Sequence, residues 1–249
     1  MKLYHYTSLK KFSLIWESGQ LRLSSAHVPS NNDFFERMKS VSIDPSNIEL
    51  VESVLIGDGR KKIANYLNTL NLYRQASFAK DYINKETGDI ITYGCLSPMM
   101  WGQYADCGKG VCLEFESEHL KYNDDTVTIH ADEVEYDEDV SSFIIDEERM
   151  KAVSEPISFI EQHIKELYYH KHIHWYYENE YRIVSRVNSK EDILSILIKD
   201  CLTHIYVPKY KGESCNSVSS QVGKEVPISY LDTEEENGKK KLCTRPFNY

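Results

Sequence analysis

The 249-residue chain carries 29 Lys and Arg against 39 Asp and Glu, a formal net charge of −10. With 41% hydrophobic and 27% charged residues it has ordinary globular composition, and it is long enough to bury a core without staples. No apolar run approaches the ~20 residues of a membrane-spanning helix, mean hydropathy is −0.50, and the net acidity argues against sequence-blind DNA capture while leaving room for a local basic pocket. The opening Met1-Lys2-Leu3-Tyr4-His5 lacks the apolar stretch of a secretion signal, so a cytoplasmic setting and no membrane partner are expected. The six cysteines (Cys95, Cys107, Cys112, Cys201, Cys215, Cys243) contain no Cys-x-x-Cys pair. In a reducing compartment they read as free thiols, and no metal is expected.

Taken in chain order, residues 2–6 read as a strand. Ser8 can cap a helix through about Ser18, with Leu9, Phe12, Leu14, Ile15 and Trp16 on its apolar side and Gly19 closing it. Residues 20–25 alternate as a strand, and 26–36 are turn-rich. The pattern from about 46 to 84 is helical, interrupted near Gly57-Asp58-Gly59. Strands are expected at 90–96 and 110–116, joined by a short helix near 98–105, and again at 126–136. Residues 146–169 read as helical, with Pro156 in a first turn and Ile157, Ile160, Ile164 and Leu167 on one face. Strands fit 180–187, 203–208 and 226–231. Ser189 is expected to cap a helix over Glu191–Ile198, and Glu236-Asn237-Gly238-Lys239 to turn a hairpin. The simplest account is one α+β domain over 1–249, with residues 44–90 as a helical insertion.

Five segments carry chemistry-bearing residues. On a strand, His5 and Thr7 face one way and Tyr6 the other, so His5 and Thr7 can share a ligand, or His5 can sit on a solvated edge. Asn31-Asn32-Asp33-Phe34-Phe35-Glu36 suits a turn or a pocket wall. Trp101 and Tyr104, three apart, can form a stacking surface or plug the core. In Glu178-Asn179-Glu180-Tyr181-Arg182 an extended chain puts Glu178, Glu180 and Arg182 on one face. Two like charges there are costly unless a cation or a task compensates; the alternative is a surface Glu–Arg pair. His170-Lys171-His172-Ile173-His174 lacks the carboxylate or thiolate partners of a metal site and reads as a solvated or pH-sensitive segment.

Leu3-Tyr4-His5-Tyr6-Thr7-Ser8, Gly19-Gln20-Leu21-Arg22-Leu23-Ser24-Ser25, Asn32-Asp33-Phe34-Phe35-Glu36, Met100-Trp101-Gly102-Gln103-Tyr104-Ala105-Asp106 and Trp175-Tyr176-Tyr177-Glu178-Asn179-Glu180-Tyr181-Arg182-Ile183 follow one another as they do in a known family. In these blocks the chain resembles DUF2971, a mostly bacterial family named for lacking an assigned function. Phe34 stands where that family usually has proline, and Tyr181 where it usually has tryptophan. A second resemblance is to ADP-ribosyltransferase-like folds, which order a first-strand His, a small helix, a second strand and a later strand-start Glu as His5, residues 8–18, residues 20–25 and Glu180 are ordered here. That resemblance implies a split mixed or antiparallel β-sheet with flanking helices around an NAD-binding cleft.

Carried over residue by residue, His5 holds the NAD ribose with Tyr6 and Thr7 beside it. Glu180 is the catalytic carboxylate, and Glu178 orients or deprotonates the acceptor. Ser24 and Tyr104 are looser matches; Trp101 or Tyr104 stacks on the nicotinamide, and Arg22 or Arg182 pairs with the pyrophosphate. NAD is then a substrate and the acceptor a protein, a nucleic acid or water, in a toxin or antiviral defence setting. A non-catalytic module binding RNA, a nucleotide or a protein through an aromatic cleft is the alternative, and a purely structural role a third. The enzymatic reading requires His5 and Glu180 to face one another across a cleft; on opposite faces of the sheet they would not support it.

Overall fold

The computed structural model describes residues 1–26, 42–43, 47–138, 144–209, 213–236 and 238–247. The Asn31–Glu36 loop lies outside them. Strands are β1 (Lys2–Thr7), β2 (Gln20–Arg22), β3 (Ser24–Ser25), β4 (Ser42–Ile43), β5 (Tyr73–Lys80), β6 (Tyr82–Ile83), β7 (Ile90–Thr92), β8 (Val111–Glu116), β9 (Ile129–Glu133), β10 (Glu135–Asp137), β11 (Ile144–Ile145), β12 (His170–His172), β13 (Glu180–Arg186), β14 (Ser195–Leu197), β15 (Leu202–Pro208), β16 (Ile228–Glu236) and β17 (Lys239–Pro246). Helices are α1 (Leu9–Ser18), α2 (Ile48–Ile56), α3 (Asp58–Leu70), α4 (Pro98–Tyr104), α5 (Glu147–Ala152), α6 (Pro156–Gln162), α7 (Ile164–Tyr168) and α8 (Glu213–Val222). Among the described residues no helix is long and apolar enough to cross a membrane.

The main sheet runs β17-β16-β15-β8-β1-β5-β13-β9, with β3 added beside β5. It is mixed: β15 and β16 are parallel and the other neighbours antiparallel. The molecule is therefore α+β, with helices on both faces of the sheet. On one face Phe12 of α1 and Val218 and Val222 of α8 pack on Leu3, Phe78, Phe115, Ile183 and Ile205. On the other, α4 brings Trp101 against Tyr4, Tyr6 and Tyr206. Beside it, α3, α6 and α7 bury Tyr66, Phe159, Ile160 and Tyr168 against Tyr73 and Val184.

Residues 1–26 follow local rules. Ser8 caps α1, its hydroxyl accepting from the Lys11 N–H, and Gly19 ends the helix at φ +68. The β16–β17 hairpin turns where Asn-Gly was expected, with Gly238 at φ +73.

Other expectations are corrected. The helical reading of 46–84 holds only to Leu70; Tyr73–Lys80 is β5, an inner strand of the main sheet, so 44–90 is not a helical insertion. Propensity lost there to partners on both sides, β1 and β13. The 146–169 helix is broken into α5, α6 and α7, at Ser154–Glu155 before Pro156 and at His163. Glu191–Ile198 is no helix: Ser189 and Asp192 close a turn, and Ser195–Leu197 pairs with β2. The 90–96 strand stops at Thr92 before a 3₁₀ turn over Gly94–Leu96, and 126–136 is divided into β9 and β10.

Gly110 is required by space. A Cβ there would lie 2.1 Å from the Thr7 carbonyl oxygen. Gly110→Ala is expected to cost about 1–3 kcal/mol of stability, read as a lower urea midpoint with an unchanged slope.

Candidate functional site

The β1–β8 ladder pairs six residues, but β1 and β5 pair only at Leu3–Lys80 and Tyr4–Ala79. Beyond that point the two strands part, and a cavity of about 410 Å³ fills the split. That volume suits a small-molecule ligand. Its walls include Tyr4, His5 and Tyr6 of β1, Gln75, Ser77 and Phe78 of β5, Gln103 and Tyr104 of α4, and Lys171, Glu178, Glu180 and Arg182. Lys11, Arg22 and Ser24 complete it, all three exposed.

One end is a buried charge cluster. Arg182 donates through Nε to Glu180 Oε1 at 2.7 Å and through Nη2 to Oε2 at 2.9 Å, and its Nη1 reaches the Tyr168 carbonyl at 2.6 Å. Lys171 Nζ lies 2.6 Å from Glu178 Oε2 and 3.4 Å from Glu180 Oε2. The Tyr104 hydroxyl donates to Glu178 Oε1. All four charged side chains are buried, none more than 6% exposed, so two carboxylates are balanced by two cations in low dielectric.

The two carboxylates respond oppositely. Burial alone would raise both. In Glu180 it is outweighed by Arg182 and then Lys171, which hold the carboxyl well below its ordinary range. In Glu178 burial prevails over Lys171, Glu180 adds to it, and the group is pushed up to about 7. Of the two, Glu178 is therefore tuned for proton exchange near neutrality.

The local chain explains how both reach one place. Glu178 ends a 3₁₀ turn over Ile173–Glu178, and Asn179 takes the left-handed conformation at φ 43 before β13 starts. Asn179 is fixed there by its side-chain Nδ2, which donates hydrogen bonds to the Lys80 and Asp81 carbonyls, 3.2 and 3.0 Å away. Asn tolerates this conformation better than most side chains. The single extended face expected for Glu178, Glu180 and Arg182 is thus corrected: only Glu180 and Arg182 share a strand, and Glu178 arrives from the turn.

His5 sits at the split itself. Its Nδ1 is 3.2 Å from the Ser77 carbonyl. A carbonyl only accepts, so Nδ1 carries the proton and Nε2 is left as an acceptor. Burial lowers the ring's pKa, keeping it neutral. Alternation places His5 with Leu3 on the α1 side of the sheet, while Glu180 pairs opposite Ala79 on the α4 side. They line one cavity where the strands have separated, but from opposite faces of the sheet, which departs from the face-to-face placement that the enzymatic reading expected.

Of the residues singled out from sequence, His5, Tyr6, Arg22, Ser24, Tyr104, Glu178, Glu180 and Arg182 line this cavity, and Thr7 and Trp101 do not. Thr7 is buried at the end of β1 beneath Gly110. Trp101 is core: its indole N–H donates to the Cys95 carbonyl at 2.7 Å, and it meets Tyr6 edge-on at 5.2 Å. Of Trp101 and Tyr104, only Tyr104 lines the cavity. Arg182 is committed to Glu180, while Arg22 lies exposed in the cavity wall. Lys11, Ser77 and Lys171 were missed. The signal for Lys171 was present: in β12 strand alternation turns it inward, away from His170 and His172.

A family model described as "Protein of unknown function (DUF2971)" matches residues 100–183. That span holds Tyr104, Lys171, Glu178, Glu180 and Arg182, the carboxylate half of the cleft. Searches of curated proteins and of solved structures return no significant match.

Proposed function

We propose that the cleft binds NAD and cleaves its nicotinamide–ribose bond, passing ADP-ribose to a macromolecule or to water. The observation that carries this reading is one cavity in a split sheet bordered by the neutral His5 and by two buried carboxylates of unlike proton affinity. The order of His5, α1, β2 and Glu180 along the chain, with β1 and β5 parted at the cavity, accords with an ADP-ribosyltransferase-like fold.

The chemistry asks little beyond these groups. The nicotinamide nitrogen departs with the electron pair of the C–N bond and becomes neutral. Positive charge builds at the sugar carbon, as in glycoside cleavage, and a fixed carboxylate nearby stabilises it most in the transition state. The acceptor oxygen bonds that carbon and yields its proton to Glu178. His5 accepts a ribose hydroxyl, Tyr104 faces the ring, and Arg22 and Lys11 meet the phosphates.

The test is to incubate the protein with NAD, alone and with a bacterial lysate. Release of nicotinamide, or a mass gain on a macromolecule equal to one ADP-ribose unit, supports the reading. NAD bound without either product assigns a binding module instead, and no binding by calorimetry ends it. Removing both rim cations, Lys11→Ala with Arg22→Ala, is expected to weaken NAD binding about 10- to 100-fold, the equivalent of one or two charged hydrogen bonds. Calorimetry at two salt concentrations checks it, since the loss shrinks at high salt.

A further inference from the structure

Lys171 touches both carboxylates. Its ammonium lies 2.6 Å from Glu178 and 3.4 Å from Glu180, and 5.0 Å over the Trp175 ring. Glu180 is held at both oxygens: Oε1 takes Arg182 Nε, Oε2 takes both Arg182 Nη2 and Lys171, and the Ser77 side chain adds a further hydrogen bond. Glu178 is held differently, by Lys171 on Oε2 and by the Tyr104 hydroxyl on Oε1. Tyr104 is itself only partly buried and stands in the cavity wall.

We infer that Lys171 is a positioning residue that ties the two carboxylates together: it backs Arg182 in holding Glu180 as a fixed anion, and from 2.6 Å it opposes the neutral form of Glu178, which exchanges protons with the occupant of the cleft through the Tyr104 hydroxyl. The step balances as a relay. A ligand hydroxyl gives its proton to the Tyr104 oxygen while Tyr104 gives its own to Glu178 Oε1. Tyr104 ends unchanged, Glu178 neutral, and the ligand oxygen carries the electron pair. This deepens the reading of the cleft as catalytic and rests on it for its purpose, but not for its measurement.

The groups facing Glu178 set the direction of each change. Lys171 and the Tyr104 hydroxyl favour its charged form and Glu180 disfavours it. Arg182 is committed to Glu180, and the phenols of Tyr82, Tyr136 and Tyr177 stand around the pair. The experiment follows glutamate side-chain carboxyls by ¹³C NMR from pH 4 to 9, on the full chain without ligand. One carboxyl is expected to titrate near neutrality and to vanish in Glu178→Gln. Lys171→Met is expected to move that midpoint upward by about 1–3 pH units, as loss of an opposite charge within hydrogen-bond reach does. Lys171→Arg, which keeps the charge, restores most of it.

Because Lys171→Met leaves two buried carboxylates facing one another, Tyr104→Phe gives a second reading at the cavity wall; it too is expected to raise the midpoint, while Glu180→Gln lowers it. A neutral-range carboxyl that belongs to Glu180, or a Glu178 midpoint indifferent to Lys171→Met and Tyr104→Phe alike, overturns the inference. A protein that cleaves no NAD yet shows these midpoints sinks only the enzymatic reading, so the two fail separately.

Discussion

Glu178→Gln is expected to lower the rate of NAD cleavage by about 10²–10⁴-fold, the worth of a positioned acid–base group, with little change in folding. The substitution is mild because Glu178 is pushed up to about 7 and is partly neutral in the native protein near neutral pH; Gln resembles the form already populated. The group acts as a base, so kcat/KM for the native protein rises with pH through about 7 and then levels. The Gln variant shows no such rise. Glu180→Gln behaves otherwise. It removes a permanent anion from between Arg182 and Lys171, and it is expected to lower both rate and melting temperature. Steady-state nicotinamide release across pH, with thermal melts of each variant, checks both statements. A Glu178→Gln protein as fast as the native one removes the carboxyl from the chemistry.

The parts of this cleft that were legible in the sequence are those built by local rules. Ser8 and Gly19 bracket α1 whatever lies beyond them, and the alternation of Glu180-Tyr181-Arg182-Ile183 survives in β13 because one face of it is polar by design. The hairpin of β16 and β17 showed its Asn-Gly turn but hid its second strand. Lys239, Lys240 and Lys241 stand opposite Glu236, Glu235 and Glu234. Cross-strand charge pairing of this kind is invisible to a single-strand pattern.

β5 was missed for a related reason. Tyr73-Arg74-Gln75-Ala76-Ser77-Phe78-Ala79-Lys80 contains several good helix formers and follows a helix without a Pro or Gly to stop it. Its strand state comes from β1, β3 and β13 around it. The cavity depends on that strand, because it forms where β5 and β1 separate. The same holds for Lys171. Its neighbours His170 and His172 drew notice as possible ligands, whereas the residue with a role in the cleft is the lysine between them, buried by a two-residue period. His5 and Glu180 were picked out by their order along the chain, yet no spacing rule says that they line one cavity from opposite faces of the sheet.

Arg182→Met is expected to destabilise the fold by about 3–5 kcal/mol, the cost of leaving a buried charge without its partner. Arg182 is 2% exposed and spends all three donor nitrogens, two on Glu180 and one on the Tyr168 carbonyl. In the native protein the depressed Glu180 carboxyl contributes stability that is present above the ordinary value of 4.5 and is lost as pH falls through its folded value. Burial is already the largest single influence on Glu180, and without Arg182 it is opposed mainly by Lys171 and pushes the carboxyl upward. The folded variant then binds more protons than its unfolded chain above pH 4.5, so its stability falls as pH rises. The gap between native and variant proteins is therefore widest near pH 8 and narrows toward pH 4. Urea denaturation at both ends of this range measures it. Adding Glu180→Gln to Arg182→Met removes the stranded charge and recovers part of the loss at pH 8 but little at pH 4. A gap independent of pH, or a double variant no better than the single one at pH 8, would mean that Arg182 supports the fold through packing and the Tyr168 contact rather than through Glu180.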